Sequence, residues 1–152
     1  MKRLVRAGVI AAVYVALCVV LQPISYGVIQ LRIAEAMTVL PILYREAVLA
    51  IFVGVLLANI YGGLGIADIV VGSLTSLVAA YLTYVFRNSW AAYLPPILLN
   101  AFIVSIYLHI LLNFPYWATV LSIGVSQTIV VFGLGYPLIR YLRRYEEKKS
   151  KD

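Results

Sequence analysis

Charge is scarce in this sequence, and its scarcity excludes most soluble folds. Only 12% of the 152 residues are charged, while 64% are hydrophobic, and the mean hydropathy is +1.00. A soluble domain carries about a quarter charged residues. So large an apolar surplus cannot be hidden in a core of this size, and the bilayer is the expected solvent. Cysteine is scarcer still. Cys18 stands alone inside an apolar run, which excludes a disulfide within the chain and leaves packing as its expected role. Catalytic signatures are missing as well: no Walker motif, no HExxH, no serine or cysteine nucleophile with a base, and no glycine-rich phosphate loop after a strand. The chain shows no means of hydrolysing ATP; no enzymatic activity, metal or other cofactor is expected of it.

The net charge of +6 could suggest nucleic acid, but its placement points elsewhere. Lys2, Arg3 and Arg6 sit at one end, and Arg140, Arg143, Arg144, Lys148, Lys149 and Lys151 at the other. Basic ends beside hydrophobic spans are what the positive-inside bias produces. Nucleic-acid binding would need a soluble basic face with stacking aromatics, and none is visible. The first segment, "VRAGVIAAVYVALCVVLQ", has basic residues before an apolar run, as a signal peptide does. No small-x-small cleavage site follows, and the leucine before Cys18 argues against a lipoprotein signal, so it reads as a retained helix.

Apolar runs near 5–22, 46–62, 66–86, 92–112 and 117–140 each approach or exceed the roughly 20 residues of a spanning helix. A shorter segment covers about 33–44. The expected fold is therefore an all-α integral membrane bundle of six helices over residues 1–145, the second short and interrupted by Pro41, with a charged tail at 146–152. Six spans place both termini on one side. With that side cytoplasmic, every one of the 12 Lys and Arg residues except Arg32 lies inside, which is the bias expected of a multi-pass protein of the cell membrane.

The exceptional stretch is "IQLRIAEAMTVLP", residues 29–41, because Arg32 and Glu35 carry the only charges between Arg6 and Arg45. A twelve-residue helix reaches about 18 Å, short of a hydrocarbon core of about 30 Å. The chain before it, "QPISYGVIQ", has Pro23 and Gly27 and is poorly suited to regular helix. Irregular backbone at membrane depth has to be buried in protein or line a wet cavity. Gln30, Arg32 and Glu35 would then stand at the wall of an outward-facing cavity, Glu35 in the first turn of its helix, where a carboxylate is favoured. The plainer alternative is an interfacial ion pair at (i, i+3).

Other polar residues share that depth. Asn59 ends the third span and Asp68 opens the fourth, on either side of "YGGLG"; Asn100 is mid-span in the fifth, with Tyr107 on its face; Gln127 is mid-span in the sixth. Amides also serve as interhelical glue, and Asp68 could cap its own helix. Taken as a set they fit a polar cavity open to the outside. His109, about 180° from Asn100 around the fifth helix, reads as a structural hydrogen-bonder. The tyrosines mostly mark interfaces. Gly8, Ala12 and Ala16 form a small-residue stripe on the first helix, suited to close packing inside the protein or to docking another membrane subunit.

Three stretches together, "IQLRIAEAMTVLPIL", "GVLLANIYGGLGIADIVVGSLTSLVAAYLTY" and "LPPILLNAFIV", resemble the queuosine-precursor transporter family (QueT-type), the substrate-specific S components of energy-coupling factor (ECF) transporters. The resemblance runs from about residue 5 to 140. It implies six helices with cytoplasmic ends, and partners consisting of an ECF coupling membrane protein and two ATPase subunits, docked through the small residues of the first helix. It implies a deazaguanine ligand such as prequeuosine. Glu35 is the candidate to accept the ring N–H and exocyclic NH₂ together, with Asp68 second. Gln30, Asn59 and Asn100 would read the ring carbonyl and nitrogen, and Arg32 would hold Glu35 ionised or bond the carbonyl. The family pattern often places an acidic residue after a glycine in the last helix, where this chain has Ser126-Gln127. A carboxylate there would suit a cationic aminomethyl group better than an amide does. An S component for another small vitamin and a ligand-free assembly protein are the alternatives.

Overall fold

A computed structural model describes residues 1–21 and 32–149. The described residues are helical throughout, with no strand among them: α1 (Lys2–Val20), α2 (Ile33–Ile42), α3 (Ala47–Gly62), α4 (Asp68–Val85), α5 (Trp90–Leu112) and α6 (Tyr116–Lys149). Four of these, α1, α4, α5 and α6, are long and apolar enough to cross a membrane; α2 and α3 are shorter. The expected segments reappear within a few residues of their ends, except that α6 continues to Lys149. Large apolar side chains face outward along the bundle, among them Leu4 and Ile66, each 79% exposed. Such a surface is stable where lipid covers it.

The two ends of the bundle are chemically different. At one end Arg6 donates to Glu46 Oε1 at 3.0 Å, its guanidinium lies 4.1 Å from the centre of the Tyr44 ring, and the Tyr44 hydroxyl donates to Glu146 Oε1 at 3.0 Å. These contacts bring the start of α1, the α2–α3 turn and the end of α6 together. At the opposite end, α3 closes on Gly63, whose φ of +66° lets its N–H reach the carbonyl of Asn59. Glycine takes this left-handed cap without the strain that a Cβ brings. The turn brings Asn59 and the first turn of α4 side by side.

The short segment α2 is a 3-10 helix over its whole ten residues, with Pro41 inside it, and Ala34 through Ile42 are all buried. It runs through the middle of the bundle, packed by α1, α3, α4 and α6. Runs of 3-10 helix longer than three or four residues are uncommon because their hydrogen bonds are poorly aligned. Enclosure on all sides compensates here, since side chains at i and i+3 stack into narrow ridges that neighbouring helices clasp. At about 2.0 Å per residue, ten residues reach about 20 Å. A close approach is at Gly135 of α6, where an added Cβ would stand 3.0 Å from Val39 Cγ2 and 3.1 Å from the Ala36 carbonyl oxygen. Because one of those atoms is backbone, Gly135→Ala is expected to cost about 1–3 kcal/mol, read as a lower unfolding temperature in detergent. An unchanged midpoint would mean that α2 has room to move.

Three of the long helices each contain one wide π turn: Asp68–Gly72 in α4, Asn100–Val104 in α5 and Val131–Gly135 in α6. Single π turns inside α-helices recur at functional sites, because they redirect the side chains around them. Two of the three begin at polar residues that turn into the bundle, and the third ends at the glycine that packs on α2.

Candidate ligand-binding site

Two polar clusters meet at the end of the bundle away from the termini. The first surrounds Glu35, in the first turn of α2 and only 2% exposed. Tyr14 of α1 donates its hydroxyl to Glu35 Oε1 at 2.7 Å, and Asn100 of α5 donates from Nδ2 to Oε2 at 3.4 Å. Thr38, one 3-10 turn later, donates to the Glu35 carbonyl at 2.6 Å. A carboxylate this buried needs such donors, since lipid and apolar side chains offer none.

The second cluster surrounds Asp68. Tyr107 of α5 donates to Asp68 Oδ1 at 2.5 Å, and Arg32 lies 3.8 Å from Oδ2. Arg32 also donates to Asn59 Oδ1 at 3.0 Å, while Asn59 donates from Nδ2 to the Asp68 carbonyl at 2.8 Å. The Asp68 side chain therefore faces the bundle interior and joins α4 to α5; helix capping is not its role. Gly72, four residues along α4, leaves space for this cluster: a Cβ there would stand 2.9 Å from Asn59 Nδ2 and 3.3 Å from Asp68 Oδ1.

Both clusters open on one cavity, lined by Arg32, Glu35, Asp68, Asn100, Tyr107 and Gln127, with Gly72 and Ser76 between them. Two lining acceptors, Asp68 Oδ2 and Gln127 Oε1, are buried without a hydrogen-bond partner among the described residues. Arg32, from the start of α2, is the only cation among the described lining residues and stands against two carboxylates. A buried wall of this kind attracts hydrogen-bond donors, and a positively charged donor most of all. The cavity measures about 20 Å³, room for about one water molecule, so a larger ligand enters only if the lining side chains part.

Of the residues singled out from sequence, Arg32, Glu35, Asn59, Asp68, Asn100 and Gln127 converge here, whereas Gln30 lies outside the described residues. Tyr14 was passed over among the many tyrosines. Its mid-span position, four residues from both Ile10 and Cys18 on the buried face of α1, was the available signal. His109 is remote from the cavity; its Nδ1 donates to the Phe114 carbonyl at 2.6 Å, and its ring meets the edge of Tyr116. Gly8, Ala12 and Ala16 lie on the exposed side of α1, opposite Ile10, Tyr14 and Cys18.

Helices with an apolar outer surface around a small cavity lined by buried polar side chains define a membrane protein with a polar interior site. The family model described as QueT transporter matches residues 4–144, and the chain belongs to that family of membrane transporters. No curated protein and no solved structure matches it.

Proposed function

We propose that this chain is the substrate-binding membrane subunit for uptake of a queuosine precursor, a 7-deazaguanine such as prequeuosine. It takes the ligand from outside and delivers it inward by docking on an ATP-driven ECF module. The observation that carries this reading is the pair of buried carboxylates, Glu35 and Asp68, on one cavity in which Arg32 is the only cation among the described lining residues. Glu35 presents two oxygens in one plane, which suits the adjacent N–H and NH₂ of a guanine-like edge. Asp68, whose Oδ2 has no hydrogen-bond partner among the described residues, takes the cationic aminomethyl group. The carboxylate that the family pattern places in the last helix is thus supplied from α4, and Gln127 Oε1 accepts a neutral donor. Asn59 holds Arg32 and Asp68 in register, Asn100 reads the ring, and Gln30, outside the described residues, is assigned to the ring by the same reading.

Six membrane crossings with cytoplasmic termini follow from the same reading. The end that gathers Arg6, Arg45 and the close of α6 faces the cytoplasm, as the positive-inside bias requires, and the cavity end faces out. The exposed stripe of Gly8, Ala12 and Ala16 is the contact for the coupling protein, where small residues let helices approach closely. Titration of the purified protein with prequeuosine, against adenine and riboflavin as controls, tests the proposal. Saturable binding of prequeuosine alone is expected. Binding of riboflavin instead would assign the site to another vitamin, binding of adenine to a different nucleobase, and binding of none of them would leave an assembly role.

A further inference from the structure

We infer that Tyr14 is a positioning residue for this site: it never touches the ligand but fixes the carboxylate that does. The inference rests on the functional reading above for what Glu35 binds, and on geometry alone for what Tyr14 does. Tyr14 is fully buried and is not among the residues lining the cavity. Its hydroxyl donates to Glu35 Oε1 at 2.7 Å, against 3.4 Å for the bond from Asn100 to Oε2, so it is the shorter of the two side-chain restraints on that carboxylate.

The ring itself is held in place. An added Cβ at Gly54 of α3 would stand 3.1 Å from Tyr14 Cβ, 3.2 Å from Cγ and 3.3 Å from Cδ1. Gly54 therefore leaves the room on α3 against which the base of the Tyr14 side chain packs. Glu35 lies in the first turn of a 3-10 helix, whose hydrogen bonds are weak, so its rotamer needs an outside anchor, and Tyr14 supplies one from a different helix. α1 thereby becomes part of the binding site: its inward face sets Glu35, while its outward face, two residues away at Ala12 and Ala16, is exposed. A shift of α1 would be felt at the carboxylate.

The test is a double-mutant cycle of Tyr14→Phe and Glu35→Gln, read in two ways on the purified protein. Thermal unfolding without ligand reports the contact itself. Prequeuosine affinity reports its use. Tyr14→Phe keeps the ring and is expected to weaken binding about 10-fold, as loss of a hydrogen bond to a charged group does. The double variant should bind no more weakly than Glu35→Gln alone, with non-additive unfolding midpoints. Gly54→Ala, which keeps the hydroxyl but displaces the ring, should also lower affinity. Additive midpoints, or wild-type affinity in Tyr14→Phe, would overturn the inference. Non-additive midpoints in a wild-type protein that binds no deazaguanine would instead leave the positioning role standing and remove the proposed ligand.

Discussion

Replacement of Glu35 by glutamine is expected to weaken prequeuosine binding by about 100-fold or more, measured by calorimetric titration of the purified protein. Glutamine preserves shape and volume, so α2 keeps its packing. What changes is the hydrogen-bonding pattern. The carboxylate offers two acceptor oxygens, each of which already takes one side-chain donor, Tyr14 on Oε1 and Asn100 on Oε2. An amide offers a single oxygen and an NH₂ that would face donors on every side. The two hydrogen bonds to a guanine-like edge are charge-assisted, each worth about 1.5–3 kcal/mol, and at least one is lost outright while the other becomes neutral. An affinity within a few-fold of wild type would show that Glu35 does not read the ligand.

Asp68→Asn should separate two ligands that differ only at the substituent. Asparagine keeps an oxygen to accept from Tyr107, so the link between α4 and α5 survives. The charge opposite Arg32 disappears, and with it the excess of carboxylate over guanidinium among the described lining residues. A cationic aminomethyl group loses its charged partner, a change of about 30-fold in affinity. The nitrile analogue carries no charge there and should change by less than about 5-fold. Equal losses for both compounds would mean that Asp68 serves the architecture of the cavity alone, and that the amine is held elsewhere.

Much of the candidate site is legible in the sequence, for a physical reason. In a chain this apolar, a charge or amide at membrane depth is expensive, so Arg32, Glu35, Asn59, Asp68, Asn100 and Gln127 stood out individually, and all six line or adjoin one cavity. The half-length second helix was equally visible, because twelve residues cannot span and Pro41 disturbs what remains. Its 3-10 character was not. Over ten residues the periods 3.0 and 3.6 differ by less than the scatter of side-chain types, and the choice between them is made by the helices that enclose α2, with Gly135 pressing on Ala36 and Val39. The π turns at Asp68 and Asn100 were hidden for the same reason: their cause is long-range packing, not local propensity. Asp68 read equally well as a cap, since the partner that turns it inward, Tyr107, lies 39 residues away. Tyr14 was the costliest omission, because tyrosine is common at membrane interfaces and one at mid-span carries no charge to draw notice.

The most direct measurement is native mass spectrometry of the chain purified in mild detergent from cells supplied with prequeuosine. A single adduct with the mass of one prequeuosine is expected on the wild-type protein, lost in Glu35→Gln and diminished in Asp68→Asn. An adduct of another mass, or a prequeuosine adduct retained in full by Glu35→Gln, would contradict the assignment of this buried carboxylate pair as the ligand's seat.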